Sequence, residues 1–282
     1  MTKITQEMID YMIYSYVTVR KNTKEIAKEL HISAVTVGFY LKSNNVEITR
    51  FRYKFNDRYF ENINTPNKAY FLGLLYADGS INTKKNSCKI TLTEKDSYIL
   101  ESLRKEVETK KPLAYGKSKP IKNTKYIGKA YYSLELNSEK LINDLEGKGI
   151  TANKSQILKF PTEEQVPLDK LSHFIRGYID GDECIYASQN RIMINIVSSE
   201  WFLKDLSIFL SKELNINANH KKDKRSNSWY MFITRISEVL RFCEYIYSDD
   251  NCIKLLRKYE KFKNFKNMKE VEEHFKKKGL LI

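Results

Sequence analysis

Tyr70-Phe71-Leu72-Gly73-Leu74-Leu75-Tyr76-Ala77-Asp78-Gly79-Ser80-Ile81 is echoed later by Phe174-Ile175-Arg176-Gly177-Tyr178-Ile179-Asp180-Gly181-Asp182-Glu183-Cys184-Ile185. Aligning Asp78 with Asp182 sets an offset of 182 − 78 = 104. The same offset pairs Gly73 with Gly177, Ile81 with Ile185, Ile90 with Ile194, Leu92 with Ile196, Ile99 with Leu203 and Lys154 with Lys258. A motif matched together with its flanks signals two copies of one structural unit. Each copy reads as an apolar helix with a glycine near its midpoint and an aspartate at its C-terminal end. Mid-helix glycine costs about 1 kcal/mol against alanine, so its use at two matching places points to a close approach of backbones. Gly73 and Gly177 would then be where the two helices touch, bringing Asp78 and Asp182 together at the bottom of the interface. Adjacent carboxylates repel unless a cation lies between them, so a divalent metal site is expected. The plainer alternative, that each Asp only ends its helix before a glycine, suits a single copy better than a duplicated one.

The flanks of each motif follow one order of helix, strands, helix. Thr65 caps the first motif helix and Pro66 suits its first turn. Residues 89–93 alternate as a strand, 97–107 return to helical spacing, 112–136 hold two strand-like runs and 141–145 begin a helix. The second copy repeats the order with a strand at 191–197, a helix at 201–214, a hairpin at 218–234 and a helix at 236–247. The expected organisation is a front module at 1–48, a linker at 49–64, a first half at 65–160, a proline-bounded linker at 161–168, a second half at 169–262 and a helical tail at 263–282.

The front module reads as three helices, 6–19, 24–30 and 34–42, with Thr23 and Ser33 as caps and 31–33 as a turn. Its second and third helices, from Thr23 to Lys42, resemble a helix-turn-helix DNA-binding motif. In that reading Ala34 and Thr36, with Val35 as a further candidate, face base edges at the start of the third helix; an ordinary helical hairpin is the alternative. Arg50 and Arg52, set among aromatic residues, could lie along a phosphate backbone or dock on the next domain.

Composition narrows the class. Across 282 residues, 49 Lys+Arg against 35 Asp+Glu gives a net charge of +14, which points to a polyanion and most simply to nucleic acid. With 41% hydrophobic residues, 19 Tyr and 14 Phe, the chain can build a core and is no disordered basic tail. No apolar run is long enough to span a membrane, the N-terminus lacks a secretory layout, and the four cysteines are scattered. Reduced thiols in a cytoplasmic or organellar, non-secreted protein are the expectation. Basic residues cluster in both expected hairpins: Lys117, Lys119, Lys122, Lys125 and Lys129 in the first, Lys221, Lys222, Lys224 and Arg225 in the second. Matching basic hairpins in a duplicated sheet read as DNA-facing arms.

Both motif segments resemble the LAGLIDADG motif of homing endonucleases, and the chain is similar to the two-motif, single-chain form of that family over about 65–260. The resemblance implies an α+β fold of two pseudo-symmetric αββαββα halves, whose curved antiparallel sheets form a saddle on double-stranded DNA. It implies a monomer with internal pseudo-twofold symmetry and a long target that need not be palindromic. It assigns Mg²⁺, with Mn²⁺ as a possible substitute, to Asp78 and Asp182, with the carbonyls of Ala77 and Gly181 as further ligands. It makes Lys154 and Lys258 candidates for orienting or polarising the attacking water. It gives Glu94 a polar water-binding position whose repeat partner is Ser198. The second copy departs at its last position, where Glu183 replaces glycine. If φ is positive there, a non-glycine residue costs about 1 kcal/mol or more. Endonuclease activity is therefore expected, and a DNA-binding regulator or intron-splicing helper with an impaired site is the alternative.

Overall fold

The computed structural model describes residues 4–277 apart from 20, 47, 49–52, 119–128, 183, 190, 225–227 and 250. Two compact units divide between Tyr53 and Lys54. The front unit holds α1 (Gln6–Val17), α2 (Thr23–Glu29) and α3 (Ala34–Ser43) around a core of Met12, Tyr16, Ile26, Ala27, Val37 and Leu41. Asn22, not the expected Thr23, caps α2, because its side chain accepts from the Lys24 and Glu25 amides while Glu25 returns the bond. Ser33 caps α3 as expected. Val35 and Phe39 form the exposed stripe of α3, whereas Ala34 packs against the core and the Thr36 hydroxyl pairs with Ser33.

The larger unit repeats one topology. Its first half runs α4 (Pro66–Asp78), β1 (Ser80–Asn82), β2 (Ser87–Thr93), α5 (Ser97–Glu106), β3 (Ala114–Lys117), β4 (Ala130–Asn137) and α6 (Glu139–Gly147). Its second half runs α7 (Leu168–Asp182), β5 (Cys184–Ala187), β6 (Ile192–Ser198), α8 (Glu200–Leu214), β7 (His220–Lys222), β8 (Trp229–Ile233), α9 (Ile236–Ile246) and α10 (Leu256–Lys277). The two four-stranded antiparallel sheets have equivalent orders, β1-β2-β4-β3 and β5-β6-β8-β7. One face of each is apolar and buried: Ile90, Leu92, Leu134 and Leu136 in the first, Ile194, Ile196, Met231 and Ile233 in the second. The alternate positions, such as Lys89 and Thr93 or Val197 and Phe232, remain exposed, as antiparallel sheets covered by helices on one side require.

Strand register corrects the simple offset. Ile81 pairs with Cys88 and Ile185 with Ile194, separations of 88 − 81 = 7 and 194 − 185 = 9. The second hairpin is therefore two residues longer, and the counterpart of Ile90 is Ile196 rather than Ile194. A two-residue slip leaves every side chain on its original face, so hydrophobic pattern alone does not reveal it.

Boundaries also move. Tyr59, Phe60 and Ile63, placed in the expected linker at 49–64, are buried in the main core. Tyr59 donates to Glu106 at 2.8 Å and the Asn56 amide to the Val107 carbonyl at 2.8 Å, which ties the segment to the end of α5. The expected break at 262 falls inside α10, whose Phe262 and Phe265 both enter the core.

Candidate DNA-cleavage site

Helices α4 and α7 form the centre of the larger unit, and their approach depends on two missing side chains. A Cβ at Gly73 would lie 2.0 Å from the Phe174 carbonyl oxygen, and one at Gly177 would lie 1.9 Å from that of Tyr70. Any larger residue at either place drives the backbones apart. The crossing brings the C-terminal ends of both helices together. Asp78, the last residue of α4, places Oδ2 so that a Cβ at Gly181 would lie 3.3 Å away, and that Cβ would be 2.3 Å from Cβ of Ala77. Asp182 ends α7 at the matching position. Gly79 adopts φ −75°, so the positive φ considered for this motif position is not used in the first half. Glycine is required there for space, because a Cβ would meet the Leu75 carbonyl oxygen at 2.5 Å. Glu183, which stands at the equivalent place, lies outside the described residues.

Lys154 and Lys258 are buried, not surface lysines. Nζ of Lys154 donates to the carbonyls of Ala77 at 3.2 Å and Gly79 at 2.5 Å. Nζ of Lys258 donates to those of Ile179 at 2.5 Å, Asp180 at 3.0 Å and Gly181 at 3.4 Å. Each lysine thus neutralises the partial negative charge at the C-terminus of its own motif helix. The candidate ligand carbonyls of Ala77 and Gly181 are both acceptors for these ammonium groups, which makes them poorer metal ligands than the carboxylates.

Glu94 is not matched by Ser198. It lies exposed in a 3₁₀ turn, Glu94–Asp96, that follows β2. In the second half, only Ser199, the cap of α8, stands between β6 and that helix, so the turn has no counterpart. Ser198 is buried and its Oγ accepts from the Tyr178 hydroxyl at 2.8 Å.

Of the basic residues expected on the arms, Lys117, Lys129, Lys221, Lys222 and Lys224 are exposed. Lys221, Lys222 and Lys224 line a groove of about 590 Å³ with Val197, Trp229 and Phe232. Arg50, Arg52, Lys119, Lys122, Lys125 and Arg225 lie outside the described residues.

One cluster was not anticipated. His173 shares a 2.8 Å hydrogen bond with Nη1 of the buried Arg176. Arg176 also donates to the carbonyls of Ile246 and Ile253, and its guanidinium stacks over the Tyr70 ring. Asp180 Oδ2 accepts from the Tyr70 hydroxyl at 3.0 Å and from the Leu255 amide at 2.8 Å. Burial pushes the Asp180 carboxyl above the usual range, while the Leu255 amide and Lys258 oppose that shift. Burial and then Arg176 hold His173 below its ordinary value. Arg176 and Asp180 stand four residues apart inside an apolar helix, a spacing that could have marked them as one-face partners.

The donor set at the helix ends is all oxygen, which suits a hard divalent cation that draws its remaining ligands from water and a phosphate. Among the described residues no group of three His, Cys, Asp or Glu side chains converges to form a complete protein-only metal cage.

Comparison with known proteins bears on the fold. Residues 169–247 match the family model described as LAGLIDADG-like domain. No curated protein matches the chain. Among solved structures, the homing endonuclease I-WcaI bound to its DNA recognition sequence aligns with TM-score 0.53 at 12% identity, covering 72% of this chain and 90% of that one. The I-LtrWI LAGLIDADG homing endonuclease bound to target DNA aligns with TM-score 0.48 at 17% identity, covering 78% and 95%. Full-length DUF199/WhiA from Thermatoga maritima aligns with TM-score 0.48 at 16% identity over 77% of this chain; the match spans 65% of that chain's length. The duplicated α+β unit therefore has the fold of LAGLIDADG homing endonucleases, and its residues 169–247 match the LAGLIDADG-like domain.

Proposed function

We propose that the chain is a site-specific, Mg²⁺-dependent DNA endonuclease that hydrolyses one phosphodiester in each strand. The observation that carries this reading is the convergence of two motif-helix ends, each bearing an aspartate and each backed by a buried lysine. Its likeness in fold to I-WcaI, which was solved bound to its DNA recognition sequence, supports DNA as the partner. Asp78 and Asp182 would hold the cation, with Mn²⁺ as a substitute. When bound, such an ion lowers the pKa of a coordinated water and stabilises charge on the phosphate. Lys154 and Lys258 keep each helix end rigid and place a fixed positive charge behind the scissile phosphate. Exposed hairpin lysines neutralise the DNA backbone, and outward residues of the two sheets read base edges. Because the halves differ along every strand, the target is long and non-palindromic. The front helix-turn-helix lengthens it, with Val35 and Phe39 rather than Ala34 and Thr36 on the open face of α3.

A second reading, DNA binding without cleavage, is favoured by Glu183 in place of the last motif glycine. The two separate cleanly on a duplex selected by this protein from a randomised pool. Mg²⁺-dependent scission of both strands supports the endonuclease. Tight binding with intact strands in both Mg²⁺ and Mn²⁺ supports the binder, and nicking of a single strand assigns the defect to the Asp182 half.

A further inference from the structure

The two lysines are delivered by segments outside the motif helices, so something must hold each segment in place. In both halves the side chain two residues ahead of the motif aspartate does so. Tyr76 donates its hydroxyl to the carbonyl of Lys148, at the start of the stretch that leads to Lys154. That reach depends on Gly149, which adopts φ +95° and whose Cβ would lie 2.2 Å from the Tyr76 hydroxyl oxygen. Asp180 accepts from the amide of Leu255, three residues before Lys258. Tyr76 and Asp180 are equivalent by the motif offset, 180 − 76 = 104. Both tether the backbone shortly ahead of the lysine with opposite polarity, Tyr76 donating to a carbonyl 154 − 148 = 6 residues before Lys154 and Asp180 accepting from an amide three residues before Lys258.

The opposite half adds a second clamp to each segment. Ser199 donates its hydroxyl to the Leu158 carbonyl, beyond Lys154. In the mirror position Asp96 accepts from Nε of Arg257 at 3.1 Å, and the Leu256 amide donates to the Tyr98 hydroxyl at 2.8 Å. Asp96 and Ser199 are themselves equivalent, as the N-caps of α5 and α8. Each lysine-bearing segment is therefore held between its own motif helix and the other half.

We propose that Tyr76 and Asp180 are the positioning residues of the two half-sites, each setting the lysine of its own half against its motif-helix carbonyls. The proposal rests on the cleavage reading for its consequence but not for its geometry. Polar groups buried without full satisfaction lower stability, and Asp180 Oδ1 and Arg176 Nη2 find no partner among the described residues. Retaining Asp180 where the first half uses an aromatic residue is thus better explained by positional control than by stability.

The test uses the full chain and a duplex selected from a randomised pool, with each strand separately end-labelled. Lys154→Met and Lys258→Met first assign a strand to each half. Tyr76→Phe, which removes one oxygen, is expected to slow cutting of the Lys154 strand by about tenfold or more, as small misplacements of reacting groups do. It should leave the Lys258 strand and DNA affinity unchanged. Asp180→Leu, which removes the oxygen that accepts from the Leu255 amide, is expected to give the mirror result; should that variant fail to fold, Tyr76→Phe decides alone. Equal slowing of both strands, or no slowing of either, overturns the proposal. Lysine reductive methylation read by mass spectrometry provides an arm that needs no cleavage. The wild type should protect both lysines, and Tyr76→Phe should expose Lys154 alone. If the wild type cuts neither strand, the cleavage reading fails, and this pattern still decides: Lys154 exposure sustains the positioning role, and continued protection ends it.

Discussion

The two motif helices share a backbone path and differ in what they bury. Along α4 the positions facing the partner half and the helices beneath carry Ala69, Leu72 and Tyr76; along α7 the equivalent positions carry His173, Arg176 and Asp180, all buried. The crossing is the same because the glycine pair sets it, and the lysine-to-carbonyl ties share one equivalent acceptor, the carbonyl of Ala77 in the first half and of Gly181 in the second. What differs is how the interior is satisfied. The first half uses packing and one phenol; the second uses a guanidinium, an imidazole and a carboxylate whose bonds reach the carbonyls of Ile246 and Ile253 and the amide of Leu255. The geometry of a duplicated site can thus be kept by opposite chemistries, with Arg176 and Asp180 tied to backbone and His173 tied to Arg176.

The largest effect should come from the feature both halves share. Gly177→Ala places a Cβ against the Tyr70 carbonyl, and urea unfolding should show a loss of about 3 kcal/mol or more. An unchanged midpoint would mean the helices do not approach as described. The next variants break the asymmetry. Arg176→Leu alone removes one of the two cations, with Lys258, that offset the buried Asp180 charge, and it should cost about 3 kcal/mol. Importing all three first-half residues, His173→Ala, Arg176→Leu and Asp180→Tyr, should recover most of that stability, since apolar replacement of a whole buried cluster is commonly neutral or better. If the triple variant is less stable than Arg176→Leu, the halves are not interchangeable in the way their backbones indicate.

A smaller effect concerns the arms. Replacing Lys221, Lys222 and Lys224 by Ser should flatten the log–log salt dependence of DNA binding by about 0.9 for each phosphate that is no longer neutralised. A slope that does not move would remove this hairpin from the interface. The smallest effect is a pH dependence. With its folded pKa held below 6.5, His173 stays neutral where the unfolded chain has already taken up a proton. Stability therefore falls as pH drops through the ordinary histidine range, and His173→Gln should remove that part of the slope in melting temperature measured from pH 7 to 5.

Much of this was legible before the structure. The motif with its offset reveals the duplication, and the glycine pair reveals where the helices touch, because a mid-helix glycine has few other uses. The order of strands and helices follows from periodicity. The two-residue slip between hairpins was not visible, because an even shift preserves the inward face. The tether of Tyr76 was hidden by its partner, a backbone carbonyl that carries no signal in the sequence. Arg176 and Asp180 carried a signal, two opposite charges inside an apolar helix, but it was masked by the stronger motif around them. The burial of Lys154 and Lys258 was equally opaque in a chain with 49 basic residues, where spacing alone set these two apart.

The central claim is that the paired helix ends form a metal-dependent cleavage centre. Its most direct measurement is cleavage of the selected duplex by wild type and Asp78→Asn, each with Mg²⁺ and with EDTA, alongside DNA affinity. The account predicts that the wild type cuts in Mg²⁺ and not in EDTA, and that Asp78→Asn binds DNA as tightly but fails to cut. Cleavage that persists in EDTA, or an Asp78→Asn variant that cuts at the wild-type rate, would contradict it.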